Sequence, residues 1–105
     1  MDLAPLALTP DLARAARALA QVSAQTVATS SELTRAQVRD FERGRTTLDA
    51  ATTERLRRAL EGFGVVFIAE DPAFGAGVRK KFNSLKVRRL ETWENEGGPS
   101  AEDDI

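Results

Sequence analysis

The chain contains no cysteine, no histidine and no tyrosine among its 105 residues. Without cysteine there is neither a disulfide framework nor a thiolate metal site, and a reducing compartment is the natural home. Without histidine the commonest general base and metal ligand is missing, and with tyrosine goes the phenolic acid. No apolar run approaches the roughly 20 residues that span a bilayer, and the first residues lack the basic-then-apolar pattern of a secretory signal. These absences leave little from which to build an active site. The expectation is a cytoplasmic protein with no enzymatic step, no cofactor, no metal and no small-molecule ligand, made of one domain with one core.

Strong net charge is also lacking, but the formal value of -1 conceals a division along the chain. Residues 1–90 carry all fifteen basic residues against ten acidic ones. Residues 91–105 carry Glu91, Glu94, Glu96, Glu102, Asp103 and Asp104 and no base. A basic body is thus joined to an acidic tail, and it is the local field, not the total, that attracts phosphate. Arginine outnumbers lysine twelve to three, which with abundant alanine suggests a GC-rich bacterial genome.

What is present is a succession of capped helices. Thr9-Pro10-Asp11 starts the first, with Leu12, Ala16, Leu19 and Val22 at helical spacing. Residues 1–8 show no pattern and are expected to be loose or to lie against the surface. Ser23 caps a second segment, Ala24 to Ser30, whose Thr26, Val27 and Thr29 are poor helix formers, so packing has to hold it. Ser30 to Leu33 makes a turn and Thr34 caps a third helix. There Val38 and Phe41 point inward, Ala36, Arg39, Asp40 and Arg43 cluster on the opposite face, and Arg35 lies in the first turn. Gly44 ends this helix, and Asp49 caps a fourth with Leu56, Ala59, Leu60 and Phe63. Val65 to Ile68 is the best strand candidate; a loop then returns toward Val78 to Phe82, and the two form a hairpin with a long connection. Ser84 caps a last short helix with Val87, Leu90 and Trp93, closed by Gly97-Gly98-Pro99 and a disordered remainder.

Two short helices joined by a tight turn, the second bearing arginines outward, match the plan of a helix-turn-helix. Residues 10–64 resemble the domain shared by Cro and CI repressors and the bacterial XRE group. The resemblance lies in Arg17, Ser23, Ala28, Thr34, Val38 and the run Phe41-Glu42-Arg43-Gly44-Arg45. The continuation from Leu56 to Ile68 and the run Trp93 to Pro99 are similar to small alphaproteobacterial members. Two departures stand out: Glu32 occupies the turn position where the family usually has glycine, and Ala24 the position of a phosphate-gripping glutamine. The resemblance implies a mainly α fold: a four-helix lambda-repressor-like helix-turn-helix domain (residues 9–64), then a short strand or hairpin and a short C-terminal helix (65–96) as the expected dimerisation region, and an acidic flexible tail (97–105).

The same resemblance implies a dimeric repressor that reads double-stranded DNA through residues 35–43. Arg35, Ala36, Arg39 and Asp40 are the candidates for base edges, since arginine donates twice to guanine. Asp40 either accepts from cytosine or forms a pair within the chain. Ser23, Gln25, Gln37, Arg43, Arg45 and Thr46 are the candidates for phosphate. Arg17 and Glu42 are expected to form a structural pair locking the first helix to the third. Val65, Val66, Phe67 and Ile68 are the candidate dimer contacts, with the same chain or a related one, because an exposed strand edge readily takes a partner. Arg79, Lys80, Lys81, Lys86, Arg88 and Arg89 form a second basic block, either solvated, phosphate-binding or a dock for the tail. Two other readings stay open: an antitoxin-type DNA binder, and a degenerate helix-turn-helix serving as a protein-interaction adaptor.

Overall fold

Each helix starts on a side-chain cap. In the computed structural model, which describes residues 7–83, the helices are α1 (Pro10–Ala20), α2 (Ala24–Ser31), α3 (Arg35–Glu42) and α4 (Ala50–Gly62). Thr9, Ser23, Thr34 and Asp49 each accept from a backbone N–H of the first turn, satisfying donors that no carbonyl can reach. At α3 the arrangement is reciprocal: Thr34 Oγ1 accepts from Gln37 N–H at 3.1 Å, and Gln37 Oε1 from Thr34 N–H at 2.8 Å. The Asp49 carboxyl is held below the usual carboxylate range, chiefly by its bond with Thr52.

The ends of the first three helices share one device. A residue just past the helix turns left-handed, and the next N–H reaches back to a carbonyl in the last turns. Val22 donates to Arg17 at 3.3 Å, Leu33 to Ala28 at 2.9 Å, and Arg45 to Asp40 at 2.8 Å. Only the third uses glycine, Gly44 at φ 72°; the other two place Gln21 and Glu32 at φ 59° and 63°. Glu32 thus takes the left-handed geometry, despite the cost a Cβ incurs there.

Ala13, Ala16, Ala24, Val27, Ala28, Val38, Phe41, Leu56 and Leu60 form the core with Leu8 and Val65. Small residues on α1 and α2 let the helices approach closely, and α2 packs mainly on α3 and α4. This is how the β-branched α2 is held in spite of its propensity. Leu8 is a correction: the sequence pattern leaves it out, yet it is 6% exposed and belongs to the core. Helix α2 also runs one residue further than its sequence suggests, to Ser31, whose buried hydroxyl donates to the Val27 carbonyl at 2.8 Å.

Strands β1 (Val65–Ile68) and β2 (Gly77–Lys80) pair antiparallel, Val65 opposite Lys80 and Ile68 opposite Gly77. Lys81 N–H closes the base of this hairpin on the Gly64 carbonyl at 2.8 Å. The hairpin rests on α1 and α4. The described residues are thus mainly helical with one small two-stranded sheet, and no helix among them is long and apolar enough to cross a membrane. The expected last helix with Val87, Leu90 and Trp93, the basic residues Lys86, Arg88 and Arg89, and the acidic tail lie outside the described residues.

Candidate functional site

The basic surface around α3 depends on an ion pair beneath it. Glu42, at the end of α3, is 3% exposed. It accepts twice from Arg17 of α1, at 2.8 Å from Nε and 3.0 Å from Nη2. The fork geometry suits a carboxylate, and these bonds push the Arg17 pKa further above its ordinary value. Arg17 also donates to the Val22 carbonyl at 3.3 Å, and Arg14 donates to the Glu42 carbonyl. Two arginines of α1 therefore anchor the end of α3, as expected for the structural pair. A third tie comes from α4: Arg55 Nε donates to the Ser31 carbonyl at 3.1 Å, beside the turn into α3.

With that end fixed, the rest of α3 is turned outward. Arg35, Ala36, Gln37 and Arg43 are exposed, and Arg39 and Asp40 are half-buried. Val38 and Phe41 occupy the core face between them. Arg45 and Thr46 continue the exposed surface past Gly44, and the Arg45 N–H bond to the Asp40 carbonyl keeps this segment against the helix end. Among the described residues, Arg35, Arg39, Arg43 and Arg45 form no ion pair. Asp40 forms none either, so it is not an internal partner for Arg39 or Arg43.

Arg35, Arg39 and Arg43 recur every four residues along one helix. Like charges at that spacing destabilise a helix by about 0.2–0.5 kcal/mol per pair. No acid among the described residues pairs with them to offset this, whereas an external polyanion would. The arrangement can engage a row of phosphates or the acceptor edges of bases.

The remaining expected residues sit around this face. Ser23 Oγ accepts from Thr26 N–H at 3.1 Å, so it serves as a cap and stays exposed at the start of α2. Gln25 is exposed and donates to Thr29 Oγ1 at 3.2 Å. Gln37 has its carbonyl oxygen engaged by Thr34, while the side chain stays exposed. Ala24 is 4% exposed and belongs to the core, which explains why an apolar residue stands there.

The expected dimer contacts divide. Val65 is 1% exposed and lies in the protein's own core; it is withdrawn from that role. Phe67 is half-buried on the same face, and only Val66 and Ile68 are exposed. Sequence reasoning missed Phe74, 77% exposed on the hairpin turn, because a single aromatic among small residues carries no periodicity. It also missed Arg14 and Arg55, whose backbone acceptors lie 28 and 24 residues away. No cluster of three or more acidic, histidine or cysteine side chains capable of holding a metal occurs among the described residues. A scan against protein-family models matches no family, and a search of curated proteins finds no match.

Proposed function

We propose that the protein is a sequence-specific DNA-binding transcriptional regulator, a dimeric repressor that reads an inverted repeat. In this reading α2 and α3 form a helix-turn-helix of the lambda-repressor-like kind, and α3 enters the major groove. Arg35 and Arg39 reach base edges with Ala36 and Asp40 beside them; each good bidentate arginine contact supplies about 1–3 kcal/mol of discrimination. Arg43, Arg45 and Thr46 at one end, and Ser23, Gln25 and the Gln37 amide at the other, bind phosphates. Two copies would set their α3 helices about 34 Å apart, one turn of duplex.

The observation that carries the reading is the row of arginines along α3 and its cap, which no acid among the described residues pairs, held above a buried ion pair that fixes the helix end. Such a row suits a ligand with its own negative charges in series.

Selection of genomic DNA fragments by the purified protein, followed by binding measurements at two salt concentrations, tests it. The reading requires an enriched sequence and an affinity that falls steeply as salt rises. Salt-sensitive binding with no enriched sequence leaves only a non-specific polyanion binder. Absence of DNA binding at low salt removes the reading and favours an adaptor.

A further inference from the structure

The exposed large apolar side chains among the described residues are Val66, Ile68 and Phe74, and all three belong to the β1–β2 hairpin. Val66 and Ile68 alternate with Val65 and Phe67, so they share the outer face of β1 while the other two face the core. Across the ladder Arg79 stands opposite Val66 and Gly77 opposite Ile68. Gly77 has no side chain, and a Cβ built there would meet nothing within 4 Å, so Ile68 has bare backbone beside it. Phe74 is not on a slack loop. Asp71 accepts from the N–H groups of Ala73 and Phe74 at 2.8 and 2.7 Å, and its own N–H donates to the Phe74 carbonyl at 2.9 Å. An ordered turn thus holds an aromatic ring out in water.

The charges on this hairpin are sorted. Its turn end carries Glu70 and Asp71 and no base; its open end carries Arg79, Lys80 and Lys81 and no acid. None of these forms an ion pair among the described residues. The face is apolar in the middle, acidic at one end and basic at the other.

We infer that a second copy of this chain docks on this outer face, with its hairpin antiparallel and the two Ile68 side chains near a two-fold axis. A two-fold contact is self-complementary: if one residue touches another, the reciprocal contact is also made. An axis at Ile68 brings Glu70 of each copy beside the level of Val66 and Arg79 in the other. Ile68 then covers Ile68 of the other copy, the aliphatic stem of Glu70 lies beside Val66, and both acidic ends meet basic ends. The hairpin rests on α1 and α4, and the arginine row lies on α3, an element outside the proposed contact. A face this small gives a transient contact, with a dissociation constant about micromolar, which two adjacent DNA half-sites would reinforce. The inference rests on the dimeric reading above, but its test needs no DNA, so the two fail separately.

The experiment is sedimentation of the full chain over a range of concentrations, with Glu70→Lys, Arg79→Glu and Val66→Glu beside it. All three positions are exposed, and circular dichroism and melting verify that each variant is folded. The wild type is expected to pass from monomer to dimer, and each variant to weaken that step about tenfold or more. An equimolar mixture of Glu70→Lys and Arg79→Glu is expected to recover association, because in the mixed dimer one end contact is the wild-type Glu70–Arg79 pair and the other is the same pair with its charges exchanged, whereas each variant alone has like charges at both contacts. A wild type that stays monomeric, single variants that dimerise like it, or a mixture that fails to recover overturns the inference. Loss of DNA selection with dimerisation intact would instead sink only the proposed function.

Discussion

Helix α4 and helix α3 with its cap both carry arginines, to opposite ends. On α4, Arg55 holds the Ser31 carbonyl, Arg57 lies between Glu54 and Glu61, and Arg58 reaches Glu54 at 3.1 Å. On α3 and its cap, Arg35, Arg39 and Arg43 hold no acid among the described residues. The difference is set by spacing. Glu54 stands three and four residues before Arg57 and Arg58, and Glu61 four after Arg57, all within reach on one helix surface. The acid at the end of α3, Glu42, is instead drawn inward by Arg17. Arginine count is therefore a poor guide to available charge; the position of the acids decides it. Removing arginines from each helix should thus affect different quantities: at most stability where they are paired, and more where the pair is buried, but binding where they are not.

The largest effect should come from the pair beneath α3. Glu42→Ala leaves the Arg17 guanidinium, 26% exposed, without its carboxylate. Breaking such a pair from one side costs about 3 kcal/mol, the low end of the range because Arg17 keeps some hydration. Urea unfolding should show it as a lower midpoint at unchanged slope. If Glu42→Ala unfolds like the wild type but binds DNA poorly, the carboxylate acts at the interface and the contrast between held and free charges is misdrawn.

Next comes Arg39→Ala, expected to leave the unfolding free energy within about 0.5 kcal/mol and to lose about 1–3 kcal/mol of discrimination at one base position. Arg43→Ala should weaken all sequences alike and reduce the salt slope by about one. Competition between preferred and altered duplexes separates the two. An Arg39→Ala protein with intact sequence preference would move the recognition face elsewhere on α3.

Most of the fold is legible in the sequence because its signals are local. Thr9, Ser23, Thr34 and Asp49 announce themselves by type and by their downstream neighbours, and each is a cap in the structure. Val38 and Phe41 mark the inner face of α3 by spacing alone, and the short strand at Val65 has the return partner expected near Val78. The Arg17–Glu42 pair spans 25 residues and is readable only through the family resemblance. Leu8 and Val65 mislead for one reason: burial at an element's end is decided by what packs over it from elsewhere in the chain. The availability of the α3 arginines is not legible at all. Asp40 stands next to Arg39 and three residues from Arg43, so its pairing is open in the sequence; only geometry shows that it forms no ion pair among the described residues.

A smaller effect, and a gain, is expected at the turn that aims α3. Glu32 sits at φ 63° with its side chain exposed, and the Leu33 N–H bond to Ala28 requires only the backbone. Glycine removes the left-handed cost of a Cβ but adds freedom to the unfolded chain. Glu32→Gly should therefore raise stability by about 0.5–1 kcal/mol, read as a higher melting temperature. A fall would mean that Glu32 makes a contact worth more than its strain.

The smallest effect, Arg58→Ala, is the sharpest control on the comparison. Arg58 is 74% exposed and its partner Glu54 is 40% exposed, and exposed pairs in water contribute little. Glu54 keeps Arg57, whose hydrogen bond is the chief reason its carboxyl lies below the usual range. A lowered carboxylate lends stability above its unfolded pKa and loses it as pH falls through the folded one. Any Glu54 contribution should therefore persist at neutral pH in Arg58→Ala and fade only in acid. Removing this arginine should leave melting, DNA affinity and the salt slope unchanged at neutral pH. A reduced salt slope would show that a paired arginine on α4 also meets phosphate. Internal pairing would then cease to distinguish the two helices, and only their orientation toward DNA could.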